Sequence, residues 1–303
     1  MSQPTHENGK QWYDERGWHH QFTAPNEVAL HYVTVGDPEN PPIVLLHGFP
    51  ECWWAWHSHI DALATDFRVI APDLRGYNRS EKPAEVSAYR LDRLADDVAG
   101  LIDAEGHDSA HVVGHDWGGV VALGTTLRRS AAVDRLVVLN APHPNAITEQ
   151  FTIRQAFRSW YAAFLQLPAI PERLFRARDY ALLERGFQTA QTAPGAYTDE
   201  DIRRYKQAWR RDGALRSMVN YYRAFGREQT RRLLTSEEAP TRIPAEMLVL
   251  WGERDPALGA HIPDVLRRAA DAATVKRYPD ASHWLHTEFP ERTVEDIRAF
   301  LSR

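Results

Sequence analysis

The 303-residue chain has one cysteine, Cys52, so no internal disulfide can form and a reducing, cytoplasmic compartment is expected. With no histidine partner evident for it, Cys52 reads as a small core residue rather than a nucleophile. Lysine is scarce: Lys10, Lys82, Lys206 and Lys276 leave 32 of the 36 basic residues to arginine, an imbalance typical of GC-rich bacterial genomes. There is no basic excess either. The 36 basic residues face 41 acidic ones, a net charge of −5, which argues against a nucleic-acid partner. Long apolar runs are missing: stretches such as Ile43–Leu46 fall far short of the ~20 residues that span a bilayer. Residues Met1 to His6 lack the charged-then-apolar pattern of a signal peptide, so no membrane partner is expected. What is present, 43% hydrophobic and 25% charged residues, is the balance of a folded soluble protein. Its length supplies a core that needs no disulfide or structural metal.

The first third alternates short apolar runs with helical periodicity. Val28–Val35, Ile43–Leu46, Phe67–Ala71, His111–Gly114 and Leu136–Leu139 read as strands. Leu91, Leu94, Val98, Leu101 and Ile102 fall on one helical face, and a second helix follows from Gly118 to Leu127. From Pro144 to Ile243 strand patterns vanish, and Arg, Tyr, Phe and Trp recur at helical spacings. Alternation resumes with strands at Glu246–Trp251 and Thr274–Tyr278 and helices at Ile262–Ala270 and Val294–Leu301. The pattern predicts an α/β core with a mostly parallel, helix-flanked sheet, built from residues 1–143 and 244–303 and interrupted by a helical cap over 144–243.

Gly114-His115-Asp116-Trp117-Gly118 sits where a strand meets a helix. It has the form of the G-x-S-x-G nucleophile elbow with Asp116 in the serine position. That replacement changes the chemistry. A serine attacking saturated carbon would form an ether, which water does not readily cleave. A carboxylate forms an alkyl ester, whose carbonyl activated water can attack. Asp116 therefore points to displacement at sp³ carbon followed by ester hydrolysis. The turn His47-Gly48-Phe49-Pro50 ends a strand where the Phe49 amide, together with that of Trp117, would hold the oxyanion of the second step. His283, after the last core strand, is placed to act as general base, and Asp255, after the preceding strand, to orient it. Asn140 occupies the other position open to an acid and cannot ionise.

With these residues in place, the sequence resembles the α/β-hydrolase family of epoxide hydrolases from about Trp18 to Leu301. The matching motifs run from His47 to Glu51, Asp73 to Ser80, Gly114 to Gly119, Trp251 to Asp255 and Ser282 to Trp284. The resemblance implies two cap tyrosines that bind the epoxide oxygen and protonate the alkoxide. Tyr161 stands five residues before Gln166-Leu167-Pro168, and Tyr222 lies in Asn220-Tyr221-Tyr222-Arg223, the two family patterns. The implied activity needs no cofactor. A phenol with pKa ≈ 10 stays protonated at neutral pH yet donates readily to an alkoxide.

The aromatic-rich cap, with Phe157, Trp160, Phe164, Phe175 and Trp209, predicts a lipophilic epoxide, with Trp53, Trp160, Phe164 and Tyr221 as candidate pocket residues. The nearest alternative is a haloalkane dehalogenase, which shares the Asp nucleophile but needs halide-binding N–H donors. Trp117 or Trp160 would serve, whereas Phe49 brings no side-chain donor. A haloacid dehalogenase would be expected to carry Arg in the place of Trp117. A ligand receptor without catalysis would tolerate loss of nucleophile, acid or base, and all three are present. His283 and His286 stand at i, i+3 with no evident third ligand, so no metal site is expected. The stretch Arg203, Arg204, Lys206, Arg210, Arg211 reads as a solvated helix face. A monomer or homodimer is expected.

Overall fold

The computed structural model describes residues 11–150 and 152–302. Its sheet follows from four short, wholly apolar runs. Ile43–Leu46, Val112–Val113, Leu136–Leu139 and Leu248–Trp251 are almost wholly inaccessible to solvent, as strands covered on both faces must be. The strands are β1 (Trp12–Tyr13), β2 (His19–Thr23), β3 (Leu30–Val35), β4 (Pro42–Leu46) and β5 (Arg68–Pro72), then β6 (Ala110–His115), β7 (Val133–Leu139), β8 (Glu246–Gly252) and β9 (Ala273–Tyr278). They form a sheet in the order β1-β2-β3-β5-β4-β6-β7-β8-β9. Pairing is antiparallel from β1 through β3 to β5 and parallel from β5 to β9. The sequence reading missed β1 and β2, whose mixed residues carry no clean alternation.

Helix Leu91–Ala104 buries Leu94, Val98, Leu101 and Ile102 and packs beside helix Trp117–Arg128. The fold thus directs the carboxyl ends of β4, β6, β8 and β9 to one edge, where ligands of open α/β sheets bind.

Between β7 and β8 the described residues form helices and no strand. These are Ile147–Gln150, Ile153–Arg158, Trp160–Phe164, Ile170–Ala190, Asp199–Trp209 and Ala214–Thr235. The longest pair is not uniform: Ile170–Ala190 breaks where Arg178, Asp179 and Tyr180 take positive φ of 51°, 53° and 65°. Thr198 and Asp201 close a reciprocal capping box on Asp199–Trp209. We propose that these helices form the cap domain. Three buried side-chain bonds seat them on the sheet edge: the Trp54 indole donates to Asp201 (2.7 Å), the Trp209 indole to the Pro50 carbonyl (2.6 Å), and the Tyr221 hydroxyl to the Arg75 carbonyl (2.8 Å).

Candidate active site

Asp116 follows β6 directly and has φ 50° and ψ −119°, a strained conformation for a non-glycine residue. The turn survives because its flanks are bare. A Cβ on Gly114 would lie 2.3 Å from the Gly118 carbonyl oxygen, and one on Gly118 would lie 2.1 Å from that of Leu46. The elbow lifts the Asp116 carboxylate above the sheet edge, between two other turns.

From the β4 side, the Phe49 amide donates to Asp116 Oδ1 at 2.8 Å. Trp117 opens the following helix, so its amide is among the N–H groups left without an intrahelical partner. From the β9 side, His283 Nε2 lies 3.6 Å from Asp116 Oδ2. Its other nitrogen, Nδ1, donates to Asp255 Oδ2 at 2.7 Å.

Asp255 is buried and fully bonded. Its Oδ1 accepts from the amides of Ala257 (2.7 Å) and Leu258 (2.8 Å), and its Oδ2 also accepts from the Asn140 side chain (2.6 Å). Burial works against its charge, but the His283 cation and hydrogen bond, then those of Asn140 and Leu258, hold its carboxyl below the ordinary range. For His283 burial again opposes the charged form. The Asp255 charge and the adjoining Asp116 carboxylate prevail and push it up to about 10.

The two tyrosines meet on the helices between β7 and β8, near enough for the Asp116 charge to act on both. Their rings meet edge-to-face with centroids 6.0 Å apart. Tyr222 also packs edge-to-face on Phe49 (5.4 Å) and Trp117 (5.0 Å), and Phe175 adds a further ring 6.0 Å from Phe49. Burial first, then the Asp116 charge, raises both phenols above their ordinary value; Asp255 adds to the effect on Tyr161 and Tyr161 to that on Tyr222. The nearby Trp117 side chain offsets part of this rise on Tyr222.

The predicted pocket residues fare differently. Trp160 is 66% exposed, so its ring faces away from the site. Trp53 is buried, edge-on to Trp18 and His20, with its amide bonded to Asp73. Tyr221 is wholly buried beneath Trp117, its hydroxyl taken by the Arg75 carbonyl. Phe164 is half-buried against the core and 6.3 Å from the Trp160 ring. Phe157 is 78% exposed and likewise faces outward.

Two supports escaped the sequence reading. Asn140, dismissed because it cannot ionise, instead bonds the residue that does; its position at the end of β7 was the available signal. His286 was set aside for want of a neighbour, yet Glu51, His115 and His286 place one ligand-type atom each within 4.8 Å of one another. The reason is long-range: β4, β6 and β9 bring together turns distant in sequence. Hydrogen bonds account for most of this cluster. Glu51 Oε2 accepts from the Gly48 amide (3.3 Å) and pairs with His115 Nδ1 (3.1 Å), while Oε1 meets Tyr197 and His286 Nε2, both at 3.3 Å. The remaining nitrogen of His115, Nε2, donates to the His283 carbonyl at 2.9 Å. Only His286 Nδ1 is left unpartnered, so the donor set suits shared protons better than a metal ion.

Residues 41–290 match the model of the alpha/beta hydrolase fold family. The chain is 38% identical over 284 residues to the AB hydrolase superfamily protein YfhM of Bacillus subtilis, covering 93% of this chain and 97% of that one. It is 34% identical to Epoxide hydrolase 1 of Caenorhabditis elegans, covering 95% of this chain and 71% of that protein. Among solved structures, the Bacillus megaterium epoxide hydrolase in complex with an inhibitor superposes with a TM-score of 0.83 at 28% identity, covering 93% of this chain and all of that one. With a match of this extent, a nine-stranded sheet of this order and an Asp at the sharp turn after its sixth strand, the chain belongs to the α/β-hydrolase fold family.

Proposed function

We propose that this chain is an epoxide hydrolase that adds water to a lipophilic epoxide through a covalent Asp116 ester. The observation that carries the reading is the division of the Asp116 carboxylate. Oδ1 is tied to the Phe49 amide, which leaves Oδ2 to attack carbon. As Oδ2 bonds to the epoxide carbon, the C–O bond breaks and its electrons go to the ring oxygen, which takes a proton from Tyr161 or Tyr222. The Asp116 carbonyl oxygen of the ester is then Oδ1, already seated against the Phe49 N–H that stabilises the next tetrahedral oxyanion.

Charge bookkeeping supports the same order. Before reaction, His283 is held as a cation between Asp116 and Asp255. Esterification removes the Asp116 charge, so the His283 pKa falls and its proton is released to the tyrosinate. Neutral His283, oriented by Asp255, then accepts a proton from the water that attacks the ester carbonyl. The diol leaves and both charges are restored. A halide leaving group would need indole donors from Trp117 and Trp160, and Trp160 is 66% exposed, which favours epoxide over haloalkane.

The test is single-turnover hydrolysis of styrene oxide in H₂¹⁸O beside a 1-haloalkane control. Diol formation with ¹⁸O entering the Asp116 carboxylate is expected. Halide release without diol, or ¹⁸O only in the diol, overturns the proposal.

A further inference from the structure

Ten large hydrophobic side chains stand exposed among the described residues, and nine lie between β7 and β8. Six of these fall in two short runs. Ile153, Phe157 and Trp160, at 80%, 78% and 66% exposure, stand four and three residues apart along successive helical segments, and Leu167, Ile170 and Leu174 flank and begin the next helix. Such a concentration differs from the single exposed apolar residues that any surface carries.

The first run is held outward by its opposite face. Gln155 donates to the Ala257 carbonyl (2.8 Å) and accepts from the Gly259 amide (2.8 Å), and Arg158 donates to the Leu258 carbonyl (2.9 Å). These bonds clamp the polar side of the segment to the Asp255 turn, so Ile153 and Phe157 cannot rotate inward.

Charge is segregated in the same sense. Residues 144–243 contain 17 Lys and Arg against 11 Asp and Glu, a net of +6, which leaves −11 on the rest of the chain. Exposed Arg173, Arg176 and Arg227 line a groove of about 680 Å³ with Pro168 and Ala169, between Leu167 and Ile170, and Arg154 is exposed beside Ile153. A face that is apolar and cationic, on a molecule otherwise anionic, complements one kind of surface: a bilayer with anionic headgroups. Repulsion of the acidic core would orient the molecule cap-down.

We infer that the cap face built on Ile153, Phe157, Leu167 and Ile170 docks on an anionic lipid surface, from which the enzyme takes epoxides dissolved in the bilayer. No helix of the described residues is long and apolar enough to cross a membrane; interfacial docking needs none. The inference rests on the epoxide reading for its cargo alone.

Binding is tested without catalysis, so either idea can fail independently. The full chain is floated with vesicles of phosphatidylcholine alone or mixed equally with phosphatidylglycerol. Association with the anionic vesicles is expected, falling several-fold between roughly 0.05 and 0.5 M salt. The double variant I153S/F157S should lose roughly tenfold or more in partitioning, while turnover of a water-soluble epoxide stays unchanged. R154Q/R173Q should weaken anionic binding only. Wild-type protein that ignores both vesicle types, or a double variant that binds equally well, overturns the proposal. So does a dimer in lipid-free sedimentation that I153S/F157S dissociates while no vesicle binds, since a second copy would then cover the face.

Discussion

Asp255 accepts four hydrogen bonds, from Asn140, His283, Ala257 and Leu258, whereas Tyr161 and Tyr222 meet each other and their neighbours chiefly ring to ring. The first set hangs on turns that follow the parallel strands β7, β8 and β9. The second hangs on helices seated by a few indole and phenol bonds. The carboxylates and the imidazole therefore sit on a densely hydrogen-bonded side of the site, its rigid side by contact type. The phenols we propose as proton donors sit on a side held by ring contacts, its compliant side. Charge stabilisation depends on preorganised position, and a carboxylate–imidazole–carboxylate array loses its effect if it drifts. In the proposed reaction, a phenol that follows the oxygen of variously sized epoxides gains from apolar contacts that slide.

Removing the rigid side should cost most. Asp116→Asn should lower diol formation roughly 10³-fold or more, measured as steady-state turnover, because no ester can form. His283→Gln should cost roughly 10²- to 10⁴-fold in turnover yet still allow attack. One equivalent of alkylated protein should accumulate, visible as a mass increase equal to the substrate, and a failure to trap it would sever His283 from the second step.

Changes on the compliant side should be smaller and should strike the first step. Tyr161→Phe and Tyr222→Phe should each slow alkylation by roughly 10- to 100-fold in stopped-flow experiments, and the double variant should slow it further. Equal slowing of ester hydrolysis would contradict the division of labour. Asn140→Ala should reduce kcat by less again and lower stability by about 1–3 kcal/mol, since it leaves a buried acceptor short of a donor. With that donor gone the Asp255 pKa rises, so the acidic limb of the rate profile should move to higher pH.

The mildest test is stability against pH. The folded-state pKa of His283, about 10, exceeds its ordinary 6.5, so its stabilising contribution is complete below about pH 6.5 and is lost as pH rises through 10. Urea melts across that interval should show wild-type stability declining, with the decline reduced in His283→Gln.

The two regions also differ in how far they could be read. Strands β4, β6, β7 and β8 are legible because a parallel strand buried on both faces must be apolar throughout. Asp116 is legible because its elbow requires small neighbours at fixed spacing. Phe164 and Trp160 show the opposite case: adjacent helical turns in one aromatic-rich segment, one half-buried and the other on the surface. Aromatic content says that a cap helix packs, not which side it turns inward.

Local sequence carried the candidate site of this protein: the residues we propose as nucleophile, base and orienting acid each stand after their own strand, because such residues must follow short-range rules of spacing and turn geometry. Long-range assembly alone joined Asn140 to Asp255, gathered Glu51, His115 and His286, and turned Trp160 to solvent. Those outcomes depend on which strands become neighbours and how the helices seat on the sheet edge, and no window of adjacent residues encodes either.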